Sequence, residues 1–190
     1  MNTYFPSDYQ AFIHTSRYAK WLDSENRREN WGETVNRYVD NLVLPKITDD
    51  ETVMAVREAI TNLDVMPSMR AMMSSGKAFD RDNTAGYNCS YLPVDDIRSF
   101  DEAMFILLCG TGVGFSVERQ YVNELPIVPM NLINLDETII VADSKEGWAW
   151  SLRTLITSLY NGVVPKWDVT RVRPAGAKLR TFGGRASGPA

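Results

Sequence analysis

Asn88-Cys89-Ser90-Tyr91-Leu92-Pro93-Val94 opens the stretch that decides the fold, and Cys109-Gly110-Thr111-Gly112-Val113-Gly114-Phe115-Ser116-Val117 closes it. The first segment alternates and is rich in β-formers, so it reads as a strand with Cys89 near its start. Asp95-Asp96 follow. Ser99 and Glu102 then spell a capping box, in which hydroxyl and carboxylate satisfy free N–H groups at a helix start. Phe100, Ala103, Met104, Ile106, Leu107 and Leu108 leave almost no polar face, so this helix is expected to be buried. Glycines 110, 112 and 114 let the chain turn tightly into a second strand, Phe115 to Val117. Strand, helix and strand in this order make a right-handed βαβ unit and an α/β fold class. The glycines do not read as a phosphate loop, because they follow the helix instead of leading into one.

Composition narrows the classes. The chain has 190 residues, 44% hydrophobic and 23% charged, as a globular domain with a sizeable core would have. A net charge of −4 gives no reason to expect nucleic acid or an anionic membrane surface as partner. No apolar run reaches the ~20 residues of a membrane span, and the first residues lack a signal-peptide pattern, so the expected location is the cytoplasm. Two cysteines, Cys89 and Cys109, are too few for a disulfide framework. The single histidine, His14, has no second one with which to build a metal site and reads as a surface or packing residue; no metal site is expected.

Outward from the centre, Trp31, Val35, Tyr38, Val39 and Leu42 recur at helical spacing up to Pro45. Thr48 and Glu51 read as a second capping box, opening a helix marked by Val53, Val56, Ile60 and Leu63. Met66 to Met73 is methionine-rich and reads as packing. Residues 76–86 read as a polar loop. Arg119 to Asn134 reads as an irregular crossing segment, Thr138 to Ala142 as a β-branched strand. A helix is expected after Ser144, with Trp148, Leu152, Leu155, Ile156 and Leu159 on one face and Asn161-Gly162 closing it. Trp167 to Val172 reads as a further strand. The glycine-rich stretch from Gly176 carries Lys178, Arg180 and Arg185; it reads either as a turn between elements or as backbone able to hold a phosphate.

These segments also resemble a known family. Asn88-Cys89, Val94-Asp95-Asp96 and Gly110-x-Gly112-x-Gly114-Phe115-Ser116 resemble the N-terminal half of the catalytic chain of ribonucleotide reductases, the adenosylcobalamin-dependent class above all. Further matches lie in family order: Tyr18-Ala19-Lys20-Trp21-Leu22, Glu29-Asn30-Trp31-Gly32-Glu33-Thr34-Val35, Met66-Pro67-Ser68-Met69-Arg70, Asp143-Ser144-Lys145-Glu146-Gly147-Trp148, Arg173-Pro174-Ala175-Gly176-Ala177, and Phe182 to Pro189. The fold implied is an N-terminal, mostly helical region (residues 1–65) followed by the first half of a ten-stranded α/β barrel (residues 66–190), continuing beyond this chain.

By the resemblance, Cys89 is one half of a redox pair that reduces a ribonucleotide, a triphosphate by the closest motifs, through a thiyl-radical mechanism. Met66, Pro67, Ser68 and Asn88 fall where the family binds substrate; family members often have Thr in place of Met66. Asp96, Ile97, Arg98 and Ser99 fall where a deoxynucleotide effector binds, although Asp95-Asp96 also suit a helix start by charge alone. The Asn-x-Cys-x-Glu pattern that carries the thiyl radical is not in this sequence, nor is a resolving cysteine or a cobalamin-contacting region. The resemblance therefore implies a chain inert by itself, needing the rest of the barrel, adenosylcobalamin and a thioredoxin-like reductant. The segment between Val117 and Trp148 is shorter than in the monomeric triphosphate reductases, which points to a homodimer. A nucleotide-effector-binding or assembly module without catalysis is the alternative, and a glycyl-radical barrel a third reading.

Overall fold

The computed structural model describes residues 4–179 and 184–189. Arg180, Phe182 and Gly183, named above, lie outside the described residues. The chain divides into two units, residues 4–86 and residues 87–179 with 184–189.

The first unit is mainly helical. α1 (Asp8–Ile13) starts at Ser7, whose Oγ accepts the Gln10 N–H, and widens into a π-helical turn, His14–Tyr18. A two-residue antiparallel pair, β1 (Trp21–Leu22) and β2 (Arg27–Arg28), leads to α2 (Trp31–Tyr38). Asn30 and Glu33 form a complete capping box there. α2 also widens into a π turn, Val39–Val43, and this explains one difference from the expected stripe. The wider turn shifts the phase, so Val43 enters the core beside Trp31, Val35 and Val39, and Leu42 does not. α3 (Asp50–Thr61) is capped by Asp49 accepting the Thr52 N–H, one residue later than the expected Thr48–Glu51 box. A carboxylate at that position satisfies the free donor and the helix dipole together. α4 (Met69–Ser74), α5 (Lys77–Arg81) and a 3₁₀ turn, Asn83–Gly86, complete the unit. The expected polar loop is thus mostly helical, because Ala78 and Ala85 are small enough to be buried.

A buried polar cluster crosses this unit. Glu29 accepts Nε and Nη2 of Arg37 at 2.7 and 2.8 Å, the Lys20 N–H at 3.0 Å and the Thr34 hydroxyl at 3.2 Å. Arg37 also donates to the carbonyls of Met72 and Tyr18, and Lys20 Nζ to that of Ser75. Burial pushes the Glu29 carboxyl up, but these donors outweigh it and hold it below the usual range. Burial pushes Lys20 down to about 8. His14 is a packing residue: its ring stacks on Phe5, meets Trp31 edge-on and pairs through Nε2 with Thr34 Oγ1 at 2.9 Å.

The second unit holds two βαβ pairs. β3 (Cys89–Pro93) runs parallel to β4 (Gly112–Ser116), with α6 (Ser99–Leu108) between them in sequence. After a short α7 (Arg119–Val122), β5 (Ile133–Ile140) runs parallel to β6 (Val163–Asp168), joined by α8 (Lys145–Tyr160). β6 begins four residues before the expected strand. Pro165 obscured it, yet Pro165 lies between Val164, paired with Asn134, and Lys166, paired with Thr138, opposite a bulge in β5 where no N–H is required. α8 begins as the Asp143–Trp148 motif suggests: Ser144 Oγ accepts the Gly147 N–H, and a side chain on Gly147 would meet Ala142 at 2.7 Å.

Two expectations about α6 fail. Its N-cap is Arg98, and Ser99 donates its hydroxyl to the Pro93 carbonyl at 3.0 Å instead of forming a capping box with Glu102. Its buried residues are Ser99 and Asp101, whereas Phe100, Leu107 and Leu108 are exposed. The polar side packs because Asp101 accepts Arg153 of α8 through two bonds, 3.0 and 2.6 Å.

Two outcomes are expected for the first unit. Arg37→Met, which strands a buried carboxylate, should lower unfolding free energy in urea by about 3–5 kcal/mol. Stability should also fall with acid. His14 has its pKa lowered by burial, so its contribution is lost as pH falls below about 6.5. That of Glu29, also lowered, is lost at more acidic pH. Urea midpoints across pH should show both stages in the parent chain and only the lower one in His14→Gln.

Candidate active site

The first rung of the β3–β4 pair fixes the surroundings of Cys89. In that register Cys89 lies beside Gly112, and Tyr91 beside Gly114. Paired residues of a parallel sheet project to the same face, so the two glycines leave that face without side chains beside Cys89 and Tyr91. Cys89, Tyr91, Gly112 and Gly114 are all exposed, while Leu92 on the opposite face is buried. The glycines expected to form a turn therefore divide their work. Gly110 has the positive φ, +88°, that turns the chain out of α6; Gly112 and Gly114 are strand residues. The Gly112 N–H donates to the Asn88 carbonyl at 2.9 Å, and the Thr111 hydroxyl to that of Tyr87 at 2.9 Å, securing the backbone just before the sulfur. What results is an exposed, free thiol at the edge of a bare strip of sheet.

Asn88 adjoins this thiol. Asp96, Ile97, Arg98 and Ser99 form the turn from β3 into α6. Asp96 Oδ1 accepts the Arg98 N–H at 2.7 Å, its carbonyl accepts the Ser99 N–H, and its side chain is exposed. Arg98 pairs with Glu102 at 3.3 Å on the surface, and the buried Ser99 hydroxyl is held by Pro93. Met66, Pro67 and Ser68 belong to the first unit. Met66 and Ser68 are exposed, and Ser68 precedes α4 without a side-chain cap, so its hydroxyl is not taken up by the helix. Near the C-terminal end, the Gly176 and Ala186 N–H groups bond across to Ala186 and Ala177 carbonyls, and Arg185 Nη1 donates to Gly176, so the glycine-rich stretch folds back on itself.

Sequence reasoning missed two side-chain pairs. Lys145 Nζ lies 3.1 Å from Cys109 Sγ, and Asp101 pairs with Arg153. The available signal was Asp101, one of two adjacent acids at the start of an otherwise apolar helix. A cleft of about 370 Å³ between α6 and α8 is lined by both members of that ion pair with Phe105, Glu146 and Trp150; it does not include Cys89 or Asp96. Among the described residues, no three His, Cys, Asp or Glu side chains are grouped to hold a metal. No helix among them is long and apolar enough to cross a membrane.

A search of protein-family models gives no match. A solved structure shares the fold: the chain superposes on a B12-dependent, class II ribonucleotide reductase with a TM-score of 0.74 at 24% identity, covering 94% of this chain and 34% of that one. Curated relatives then give the resemblance a particular direction. The adenosylcobalamin-dependent ribonucleoside-triphosphate reductase of Lactobacillus gasseri is 26% identical and that of Lactobacillus helveticus 28%, each over 90% of this chain. The resemblance read from the motifs thus holds along nine-tenths of the chain. The chain spans about a third of the length of these relatives, 33% in both cases, where the motifs had suggested half. The alignment to the first runs over 247 positions, more than this chain possesses, so that relative carries residues within the matched stretch that are absent here.

The described residues do not fit a corrinoid. His14, the sole histidine, is 4% exposed with Nε2 engaged by Thr34, and the α6–α8 cleft sets Asp101, Glu102, Glu146 and Arg153 beside Phe105, Ile106 and Trp150.

The thiols provide a direct check on the site. An aromatic disulfide reagent should modify Cys89 rapidly in the folded chain and Cys109 only on unfolding, because Cys89 is exposed and Cys109 buried. Equal rates for both would contradict the geometry.

Proposed function

We propose that this chain supplies one redox thiol and part of the substrate and effector surface of a reductase that converts ribonucleotides, as triphosphates, to deoxyribonucleotides. The observation that carries the reading is the free, exposed Cys89 beside side-chain-less Gly112. A ribose laid against Gly112 would meet no β4 side chain between itself and the sulfur. Cys89 then delivers reducing equivalents as the 2′-hydroxyl leaves as water. With a second cysteine, outside this chain, it forms a disulfide, two thiols giving up two electrons and two protons. That bridge requires the partner's Cα within roughly 4.4–6.8 Å.

The substrate-side residues in this reading are Met66, Pro67, Ser68 and Asn88, with the Ser68 hydroxyl a donor for the phosphate end. Asp96, Ile97, Arg98 and Ser99 form the effector side, where the exposed Asp96 carboxylate would accept ribose hydroxyl bonds. The thiyl radical arises elsewhere, since no Asn-x-Cys-x-Glu occurs here. Adenosylcobalamin, which the relatives' names carry, would be held by the remainder of the protein. That remainder is the main partner, joined by a thioredoxin-like reductant and, through α6 and α8, a second copy, in the cytoplasm. Exposed Val117, Ile127, Met130, Ile133 and Trp167 support the need for a covering partner.

Given adenosylcobalamin, a ribonucleoside triphosphate and a dithiol, this chain alone is expected to yield no deoxynucleotide; turnover would refute the need for a partner. Reconstituted with the remaining two-thirds of such a reductase, the chain should support turnover. Cys89→Ser should reduce thiol-driven turnover to background while leaving effector affinity unchanged. Retained turnover would instead favour an effector-binding module without catalysis.

A further inference from the structure

Cys109 and Lys145 come from two helices whose ends are independently fixed. Cys109 is the C-terminal cap of α6 and 2% exposed; Gly110, at positive φ, turns the chain immediately after it. Lys145 is the first residue of α8, whose start is pinned by the Ser144 cap and by Gly147 against Ala142. The Asp101–Arg153 pair is a further link between the same helices. Lys145 Nζ stands 3.1 Å from Cys109 Sγ and 4.7 Å from the centre of the Phe105 ring, one turn earlier on α6. The ring draws the ammonium over the helix toward the sulfur. A buried thiol is thereby held against a nitrogen at a distance one oxygen atom can span after slight contraction.

We propose that Cys109 and Lys145 are joined by a covalent sulfur–oxygen–nitrogen bridge when the protein meets dioxygen. In the balanced step, the thiol, the ammonium and one dioxygen give the bridge, one water and one proton. The S–H bond, two N–H bonds and the O–O bond break; S–O and O–N bonds form. Sulfur and nitrogen each lose two electrons, and dioxygen takes all four. Dioxygen is small and apolar enough to reach a buried thiol. Sulfur oxidised there would have an amine nitrogen as its neighbour, where a redox-sensing cysteine usually finds a second thiol. Cys89, placed in the reductive chemistry above, has no part in this step.

The test is peptide mapping by mass spectrometry of the folded chain, kept in air-saturated buffer or under argon. The expected product in air is a peptide from the end of α6 cross-linked to one from the start of α8. Relative to the reduced pair it gains one oxygen and loses two hydrogens, and a thiol reductant separates the two. Lys145→Arg, which keeps the cation, and Cys109→Ser should each abolish it. Should either variant fail to fold by circular dichroism, the parent map alone decides. Oxygen confined to Cys109, a cross-link without oxygen, a Cys89–Cys109 disulfide, no change in air, or persistence in Lys145→Arg would each overturn the proposal.

Discussion

The register of two short parallel strands is the constraint on which the second unit depends. Pairing Cys89 with Gly112 and Tyr91 with Gly114 leaves β4 without side chains beside Cys89 and Tyr91 on one face, and leaves the other face to carry Leu92 and Val113. A slip of one residue would set Val113 or Thr111 beside the sulfur and exchange the faces. The Gly112 N–H bond to Asn88 and the Thr111 hydroxyl bond to Tyr87 hold the register at the rung where chemistry is proposed. α6 closes the connection, and Gly110 provides a turn conformation that a side chain would resist.

The first unit depends on electrostatics of a different kind. Glu29 and Arg37 are buried together, and each has further hydrogen bonds to backbone or hydroxyl groups, which offset part of the cost of removing charge from water. Through the carbonyls of Tyr18, Met72 and Ser75 the cluster ties the π turn after α1 to the end of α4, the helix that follows Pro67-Ser68. Several family-like motifs thus have a structural explanation of their own: Lys20 and Glu29 in the cluster, Ser144 and Gly147 at a helix start, Arg173 paired with Asp143 at 2.9 Å.

What the sequence made legible follows from local physics. The βαβ order, the stripe on α2 as far as Val39, the Ser144 start and the Asn161-Gly162 stop are short-range patterns, and these are found. The capping sites were misread where two acceptors competed: Asp49 displaced Thr48, and Pro93 captured the Ser99 hydroxyl. The π turn that selects Val43 leaves no periodic mark beforehand. α6 was misjudged for a different reason. Its apolar residues forecast a buried helix, but the ion pair with Arg153, 52 residues away, directs its polar side inward. Cys89 was legible only through the resemblance; its setting beside Gly112 is a long-range fact. For the same reason the Lys145–Cys109 pair was out of reach, as it joins two elements that neither motif nor spacing connects.

The central claim is that the Cys89 sulfur passes electrons to a nucleotide. It is tested most directly by a single turnover of the reconstituted enzyme without external reductant, acid-quenched and mapped under non-reducing conditions. The account predicts one new disulfide per deoxynucleotide formed, with Cys89 as one of its two cysteines and Cys109 outside it. Deoxynucleotide produced with Cys89 still a free thiol would contradict it.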